Sequence, residues 1–336
     1  MLDVACQCPP TYRVLVSTDL GGDPDDIQSL YRLVHHSDIL RVEAITSCTG
    51  PGSTPSAQLI QHWIQRIDVD HLRARGHTRL MSEHELLDAV VQGAITPGAP
   101  DATRTTAASR RIIECAQSSD SSRLRRPLWI LVWGSLTDVA QAIYEQPAIV
   151  PRIRINSIGS SNTENDPGSR DWLYRFMVTE YPELWWIEDG VMPRFSRDTF
   201  RGVYQGGDQS GCWGNKTFIE QIIRGRGTTH GGMFAERCGD AFPVASWPEG
   251  RLKEGDSPTM LYLLAPVLGA VGDVDDPTRP GWGGQFHRPD PERLPNYYCD
   301  LDQPSEVCQR TISRWRREFL AEWAARWGWY DGGSCS

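Results

Sequence analysis

Four aspartates, Asp19, Asp23, Asp25 and Asp26, fall within one eight-residue stretch, Asp19-Leu-Gly-Gly-Asp-Pro-Asp-Asp26. Carboxylates this close repel one another unless protons or a cation neutralise them. Hard oxygen donors select Ca2+, with Mg2+ as the alternative, over softer metals. Gly21 and Gly22 allow the sharp turn and close backbone approach that a ligand-binding loop requires. The competing reading is an acidic helix start, in which such residues cap amides and complement the dipole. Asp25 or Asp26 alone would fit that role, but a set of four exceeds it and points to a metal site.

The elements around this loop follow from hydrophobic spacing. Tyr12 to Thr18 reads as a buried strand that delivers the acids at its carboxyl end, where parallel sheets bind ligands. Ile27, Leu30, Leu33 and Val34 recur at helical spacing beyond it. Further strands are expected at Arg41–Thr46, Leu128–Trp133 and Ile153–Ile158. Helices are expected at Ala57–Ile67, His84–Val91, Ala107–Ala116, Leu136–Tyr144, Trp172–Thr179 and Glu306–Trp327. Strands alternating with helices, several of them apolar on both faces, predict an α/β fold with a mostly parallel sheet covered by helices. No linker divides the chain, so residues 1–336 are read as one domain with 1–11 as an N-terminal extension. The Gly-rich stretch Arg201 to Gly255 is expected to form long loops around a site.

Composition removes several function classes. The 336 residues carry 34 basic and 43 acidic side chains, a formal charge of −9 that gives no footprint for nucleic acid. The longest apolar run, Leu261 to Val271, falls short of the ~20 residues a membrane span requires. The nine cysteines never fall in a C-x-x-C pattern, which argues against a zinc ribbon or redox motif. A disulfide between Cys299 and Cys308, which flank a loop, stays open. The first residues carry neither a basic nor an apolar leader segment, so a cytoplasmic chain is expected, with a processed secreted form as the alternative. Arginine outnumbers lysine thirty-two to two, and no function is read from that.

The acidic segment from Thr18 to Asp26 resembles the N-terminal aspartate motif of calcium-dependent nucleoside hydrolases. Trp133-Gly-Ser-Leu-Thr-Asp138, Asn162 ahead of Asp166-Pro167, and Gly255-Asp256-Ser-Pro258 resemble that family's later segments in the same order. A closer resemblance is to the nucleoside hydrolase-like domain of the cellulose-binding Sde182 group. It rests on residues 21–26, Leu184-Trp-Trp-Ile-Glu188, Phe200-Arg-Gly-Val-Tyr204, Trp282-Gly-Gly-Gln-Phe286 and Trp323-Ala-Ala-Arg326. The resemblance implies that Asp19, Asp26, the Trp133 carbonyl and Asp256 ligate one Ca2+. Asp25 and Asn162 would hold sugar hydroxyls, and Asp19 would be the base for a metal-bound water attacking an anomeric carbon. Glu164 and Asn165 are alternatives to Asn162 by a register slip.

The sequence departs from the nucleoside hydrolases at two places. Gly255 stands where the family has a His able to protonate a leaving base, and Ser160 stands where it has a ribose-binding Glu. His230, in the irregular stretch, is the candidate replacement acid, with Glu164 and Asp166 as others. Trp133, Trp185, Trp186 and Trp282 are candidates to line a pocket, since Trp stacks on sugars and bases. Trp315, Phe319, Trp323 and Trp327 recur every four residues as a core- or partner-facing stripe, while Arg314, Arg316 and Arg317 are read as a solvated face.

The leading function is a Ca2+-dependent hydrolase of an N- or O-glycosidic bond in a nucleoside-like molecule or other small glycoside, in a chain whose expected partners include a second copy of itself in a homo-oligomer. The alternatives are a carbohydrate-binding module without turnover, or a tailoring enzyme using the same pocket on a non-nucleoside substrate.

Overall fold

The strand expected at the head of the acidic loop forms as β1 (Tyr12–Thr18), buried over all but its first residue. The computed structural model describes residues 12–118, 126–191, 197–236 and 252–332; the expected N-terminal extension lies outside the described residues. With β1 run β2 (Leu40–Ser47), β3 (Val90–Val91), β4 (Leu128–Val132), β5 (Ile153–Ile158), β6 (Trp186–Asp189), β7 (Phe286–His287) and β8 (Tyr297–Asp300). They form one eight-stranded sheet in the order β3-β2-β1-β4-β5-β6-β8-β7. All pairings are parallel except β7 on β8. This is a single α/β domain.

The chain builds outward from β1 to β3, then returns to place β4 on the other side of β1. The order therefore reverses between β1 and β4, which opens a crevice at their carboxyl ends. Asp19 follows one of these strands and Trp133 follows the other.

Alternation along the strands divides the core between the two faces. Val14, Val16, Trp129 and Leu131 face helices Pro24–His35, Ala57–Ile67, Ser257–Val267 and Arg316–Trp327. Leu15, Leu128, Ile130 and Val132 face helices Ala107–Gln117, Thr137–Glu145 and Pro167–Thr179. The aromatic stripe completes the first core: Phe319, Trp323 and Trp327 are fully buried, and Trp327 stacks on Tyr31 at 5.6 Å.

Several expectations are corrected. The segment read as one helix over His84–Val91 is a helix only at Glu83–Asp88, after which Val90–Val91 joins the sheet edge. The final helix is two, Ser305–Ser313 and Arg316–Trp327. The break between them buries Arg316, which was expected to be solvated. Its guanidinium donates to the carbonyls of Val203 and Trp213 and to Asn215 Oδ1. As far as residue 236, the stretch from Arg201 is built of short helical turns rather than loops. Cys299 and Cys308 are free thiols, so the loop they flank is not bridged.

One buried ion pair ties the first helix to the segment that carries Asp256. Arg32 Nε and Nη2 donate to the two Glu254 carboxylate oxygens at 2.5 and 2.8 Å, and both side chains are fully buried. Removing one side of such a pair strands the other charge and costs about 3–5 kcal/mol. Arg32→Met is therefore expected to lower the unfolding free energy in urea by about that amount, and a loss under about 1 kcal/mol would contradict the assignment.

Candidate functional site

Thr18 ends β1 and Pro24 opens the first helix, so the acidic loop bridges a strand end and a helix start. Asp23 is the residue before the helix, but its side chain makes no capping bond. Asp25 and Asp26 occupy the first turn, where the helix dipole favours them. The Thr18 hydroxyl donates to Asp26 and accepts from the Leu20 amide, which locks the turn.

The opposite wall comes from the segment Leu252–Ser257. Gln28 Oε1, on the first helix, accepts from the Lys253 and Glu254 amides at 2.7 and 2.9 Å. Glu254 adopts a positive φ of 44°, strained backbone for a residue with a side chain. Asp256 then enters the cluster from the start of helix Ser257–Val267. Thr259, one turn on, accepts from Trp133 Nε1 at 2.9 Å and so clips this helix to the end of β4.

Asp19, Asp23, Asp25, Asp26 and Asp256 line one cavity of about 680 Å3 at the crevice between β1 and β4. Asp25, Asp26 and Asp256 each offer a carboxylate oxygen within 4.8 Å of the others. Asp19 lies beside this triad, hydrogen-bonded to Asp26 and close to the Asp25 charge, and the triad brings in Asp25, which was expected to hold a sugar hydroxyl. Three glycines leave room for the acids. A Cβ at Gly50 would lie 1.4 Å from Asp19 Oδ2, one at Gly134 2.8 Å from Asp19 Cβ, and one at Gly255 2.3 Å from Asp25 Oδ2.

Burial raises the pKa of Asp19, Asp23, Asp26 and Asp256, and repulsion from neighbouring carboxylates adds to it. Asp19 is pushed up to about 7 by burial and by the Asp25 charge, even though a hydrogen bond from Asp26 opposes the shift. Burial, then Asp25, lifts Asp23 to about 6 against the pull of Lys253. Asp26 and Asp256 are held well above the ordinary aspartate value by burial, then by neighbouring carboxylates. Burial alone would lower the Lys253 ammonium, but Asp25 and Asp23 outweigh it and raise its pKa.

The donor set fits a hard divalent cation. Asp256 Oδ2 is buried with no hydrogen-bond partner among the described residues. Oxygens bound to one calcium ion at about 2.3–2.6 Å lie no more than about 5.2 Å apart, and the three offered here lie within 4.8 Å of one another. The Trp133 carbonyl also faces the cavity, and it accepts from Asn162 Nδ2 at 2.7 Å. A carbonyl oxygen has a second lone pair, so that bond leaves it able to bind a cation.

Of the three alternatives at the sugar position, Asn162 lines the cavity, while Glu164 and Asn165 do not. Ser160, just ahead, holds a positive φ of 58° that turns the chain into the short helix carrying Asn162. Asp166 caps the next helix through the Ser169 amide and accepts from Thr137 Oγ1 at 2.7 Å, which is a structural role.

Two expected site residues sit elsewhere. His230 bonds Asp68 at 3.1 Å and stacks on Tyr330 at 4.5 Å, and Tyr330 in turn meets His35. His35 ends the first helix, about 14–15 Å along its axis from Asp25 and Asp26 that start it, and His230 does not line the cavity, so it is no replacement acid here. Trp185 precedes β6 and so lies at the amino end of the sheet. There it packs on Trp129 at 5.0 Å and Tyr298 at 5.3 Å. Trp186 and Trp282 are buried and bonded to Ser157 and Glu318.

The sequence reading missed Lys253, which pairs with Asp23 and Asp25, and missed the outer wall formed by Arg201, Tyr204, Gln205 and Gln309. The rarity of lysine in this chain was the available signal for the first. The recurrence of Arg201 and Tyr204 in a quoted motif was the signal for the second.

An α/β sheet with an acid-lined cavity at its reversal point defines a nucleoside hydrolase-like architecture. Residues 13–286 match the family described as cellulose-binding Sde182, nucleoside hydrolase-like domain, and the chain belongs to that family. A nucleoside hydrolase-related protein from Saccharophagus degradans, associated with carbohydrate metabolism, is 20% identical with a TM-score of 0.67 over 95% of this chain and 72% of that one. An inosine-guanosine nucleoside hydrolase is 14% identical with a TM-score of 0.54, over 96% of this chain and 100% of that one. A plant nucleoside hydrolase is 16% identical with a TM-score of 0.53, over 91% and 99%. At these identities the likeness is one of fold. No curated protein matches the chain. Among the described residues, no helix is long and apolar enough to cross a membrane.

A pH dependence follows from the carboxyls. Asp19 at about 7 and Asp23 at about 6 hold protons in the ion-free fold that the unfolded chain has released. Their contribution to stability is full below the unfolded value of about 4 and lost as pH rises through 6 to 7. In chelator, the melting temperature is expected to carry this loss between about pH 5 and about pH 8, and the increment from added calcium is expected to grow over the same range. Thermal melts with and without calcium check it, and an increment that is flat or shrinks with pH would contradict it.

Proposed function

We propose that the protein is a divalent-cation-dependent hydrolase of a glycosidic bond, with Ca2+ as the ion its donors favour. The observation that carries this is the convergence of Asp25, Asp26 and Asp256 on one point, with Asp256 Oδ2 buried and unpartnered among the described residues. Those three side chains and the Trp133 carbonyl would hold the ion. When bound, it supplies positive charge that makes a water more acidic.

Asp19, beside the oxygens that would hold the ion, is placed to accept a proton from a cavity water at Oδ1 or Oδ2. Asn162 and Asp25, which line the cavity, orient sugar hydroxyls and hold the ring beside that water. Positive charge developing at the anomeric carbon meets a wall of carboxylates, which stabilises it. The outer wall mixes the polar Arg201, Gln205, Ser305 and Gln309 with the aromatic Phe200 and Tyr204. Among the described residues no histidine lines the cavity to protonate a ring nitrogen, so an O-glycoside is the favoured substrate.

Carbohydrate binding without turnover is the second reading. The family's description as cellulose-binding favours it, as does the absence of histidine from the residues lining the cavity.

Incubation with calcium and a panel of nucleosides, aryl glycosides and cello-oligosaccharides separates the two. Product from an O-glycoside, falling at least about a hundredfold in Asp26→Ala and Asp19→Ala, is the expected result, since each substitution removes an acid from the reacting centre. Turnover retained in both variants would overturn the catalytic reading. Saturable binding with no product over long incubation would establish the second.

A further inference from the structure

Lys253 is one of only two lysines in the chain, and it is buried against the acid cluster with 6% of its surface exposed. Its ammonium pairs with Asp23, and with Asp25 Oδ2 at 3.0 Å. Asp25 also belongs to the oxygen triad with Asp26 and Asp256. One carboxylate thus lies between a fixed positive charge and a set of oxygens spaced for a cation. In sites that hold two ions about 3.5–4 Å apart, a carboxylate shared by both ions has the same surroundings.

The placement of the ammonium is built into the fold. The Lys253 and Glu254 amides are both held by Gln28, and Glu254 is held by Arg32, so the backbone at Lys253 is fastened to the helix that carries Asp25 and Asp26. Six carboxylates, five aspartates and Glu306, line this cavity, more than one divalent ion neutralises.

We propose that the Lys253 ammonium stands where a second cation would sit, making the cluster a one-ion site in which Asp23 belongs to the lysine and Asp26 and Asp256 to the ion. This inference rests on the divalent-cation reading above. It explains why Asp23 is turned away from capping the first helix. It also separates this centre from two-ion sites, where paired metals clamp both the attacking and the leaving oxygen.

Calcium titration of the intact chain by calorimetry tests the proposal. The unaltered protein is expected to take up one ion, Lys253→Arg one, and Lys253→Ala two, with the charge restored by the second ion. Asp23→Asn, at a half-exposed side chain, gives a second measurement in a variant that keeps the buried cluster intact. It is expected to leave calcium affinity within about threefold, while Asp256→Asn weakens it by more than about tenfold. One ion in both the unaltered protein and a folded Lys253→Ala, or equal losses in Asp23→Asn and Asp256→Asn, would overturn the proposal alone. An unaltered chain that takes up no calcium would overturn the divalent-cation reading along with it.

Discussion

Five aspartates share a cavity that Glu306 also lines, and their fixed compensation is one ammonium and the more distant Arg201. Burial removes the water that would otherwise screen them, so each ionised acid raises the cost of ionising the next. The raised pKa values of Asp19, Asp23, Asp26 and Asp256 are the measure of that cost. A fold that keeps such a cluster must supply compensation by position. It starts a helix at Pro24 so that the dipole faces Asp25 and Asp26, and it sets Lys253 against Asp23 and Asp25.

The remaining architecture fixes those positions. The reversal of strand order between β1 and β4 brings Asp19 and the Trp133 carbonyl to one crevice from segments more than a hundred residues apart. The first helix then acts as a spine. Its amino end carries two of the acids, Gln28 and Arg32 hold the Lys253–Asp256 segment, and Tyr31 packs its far half into the aromatic core of the last helix. The aromatic stripe at residues 319–327 is therefore connected to the site mechanically, by seating the helix on which the acids stand. No side chain of that stripe lines the cavity.

Contiguity decided what was legible in the sequence. The strand, the turn glycines and the acids of residues 12–26 lie in one run, so periodicity and charge density were enough to place them. Asp256 and Asn162 are single residues far along the chain and were reachable only through resemblance to a family. Lys253 has no motif around it, and a lone lysine acquires meaning only when folding sets it 3.0 Å from Asp25. Trp185 was misplaced because which end of a strand a residue occupies depends on where the strand starts. Trp186 opens β6, which puts its predecessor at the end of the sheet away from the site. His230 was misplaced because its neighbours in space, Asp68, His71 and Tyr330, come from distant segments that no local pattern links. The short strands β7 and β8 carry too few residues to display alternation.

Gly255 shows how charge compensation shaped the chemistry the site can perform. A Cβ there would meet the Asp25 carboxylate at 2.3 Å, while that carboxylate is held in place by Lys253. A histidine at this position, the residue that nucleoside hydrolases resembling this chain carry before their last aspartate, is incompatible with Asp25 as it lies here. The lysine-held carboxylate and the neighbouring imidazole are thus alternatives in this framework, and the chain has the first. Departure of a purine or pyrimidine needs a proton delivered to a ring nitrogen, which an imidazole at that position would supply. Without it, the hydrolase reading proposed above favours leaving groups whose oxygen takes its proton from water or from a neighbouring carboxyl. Burial raises the pKa of Asp26 and Asp256 and so favours the protonated carboxyl when no ion is bound, and cation binding opposes it. Proton supply and cation occupancy are therefore opposed uses of the same oxygens. Asp19, beside the triad rather than in it, is the acid least bound by that conflict.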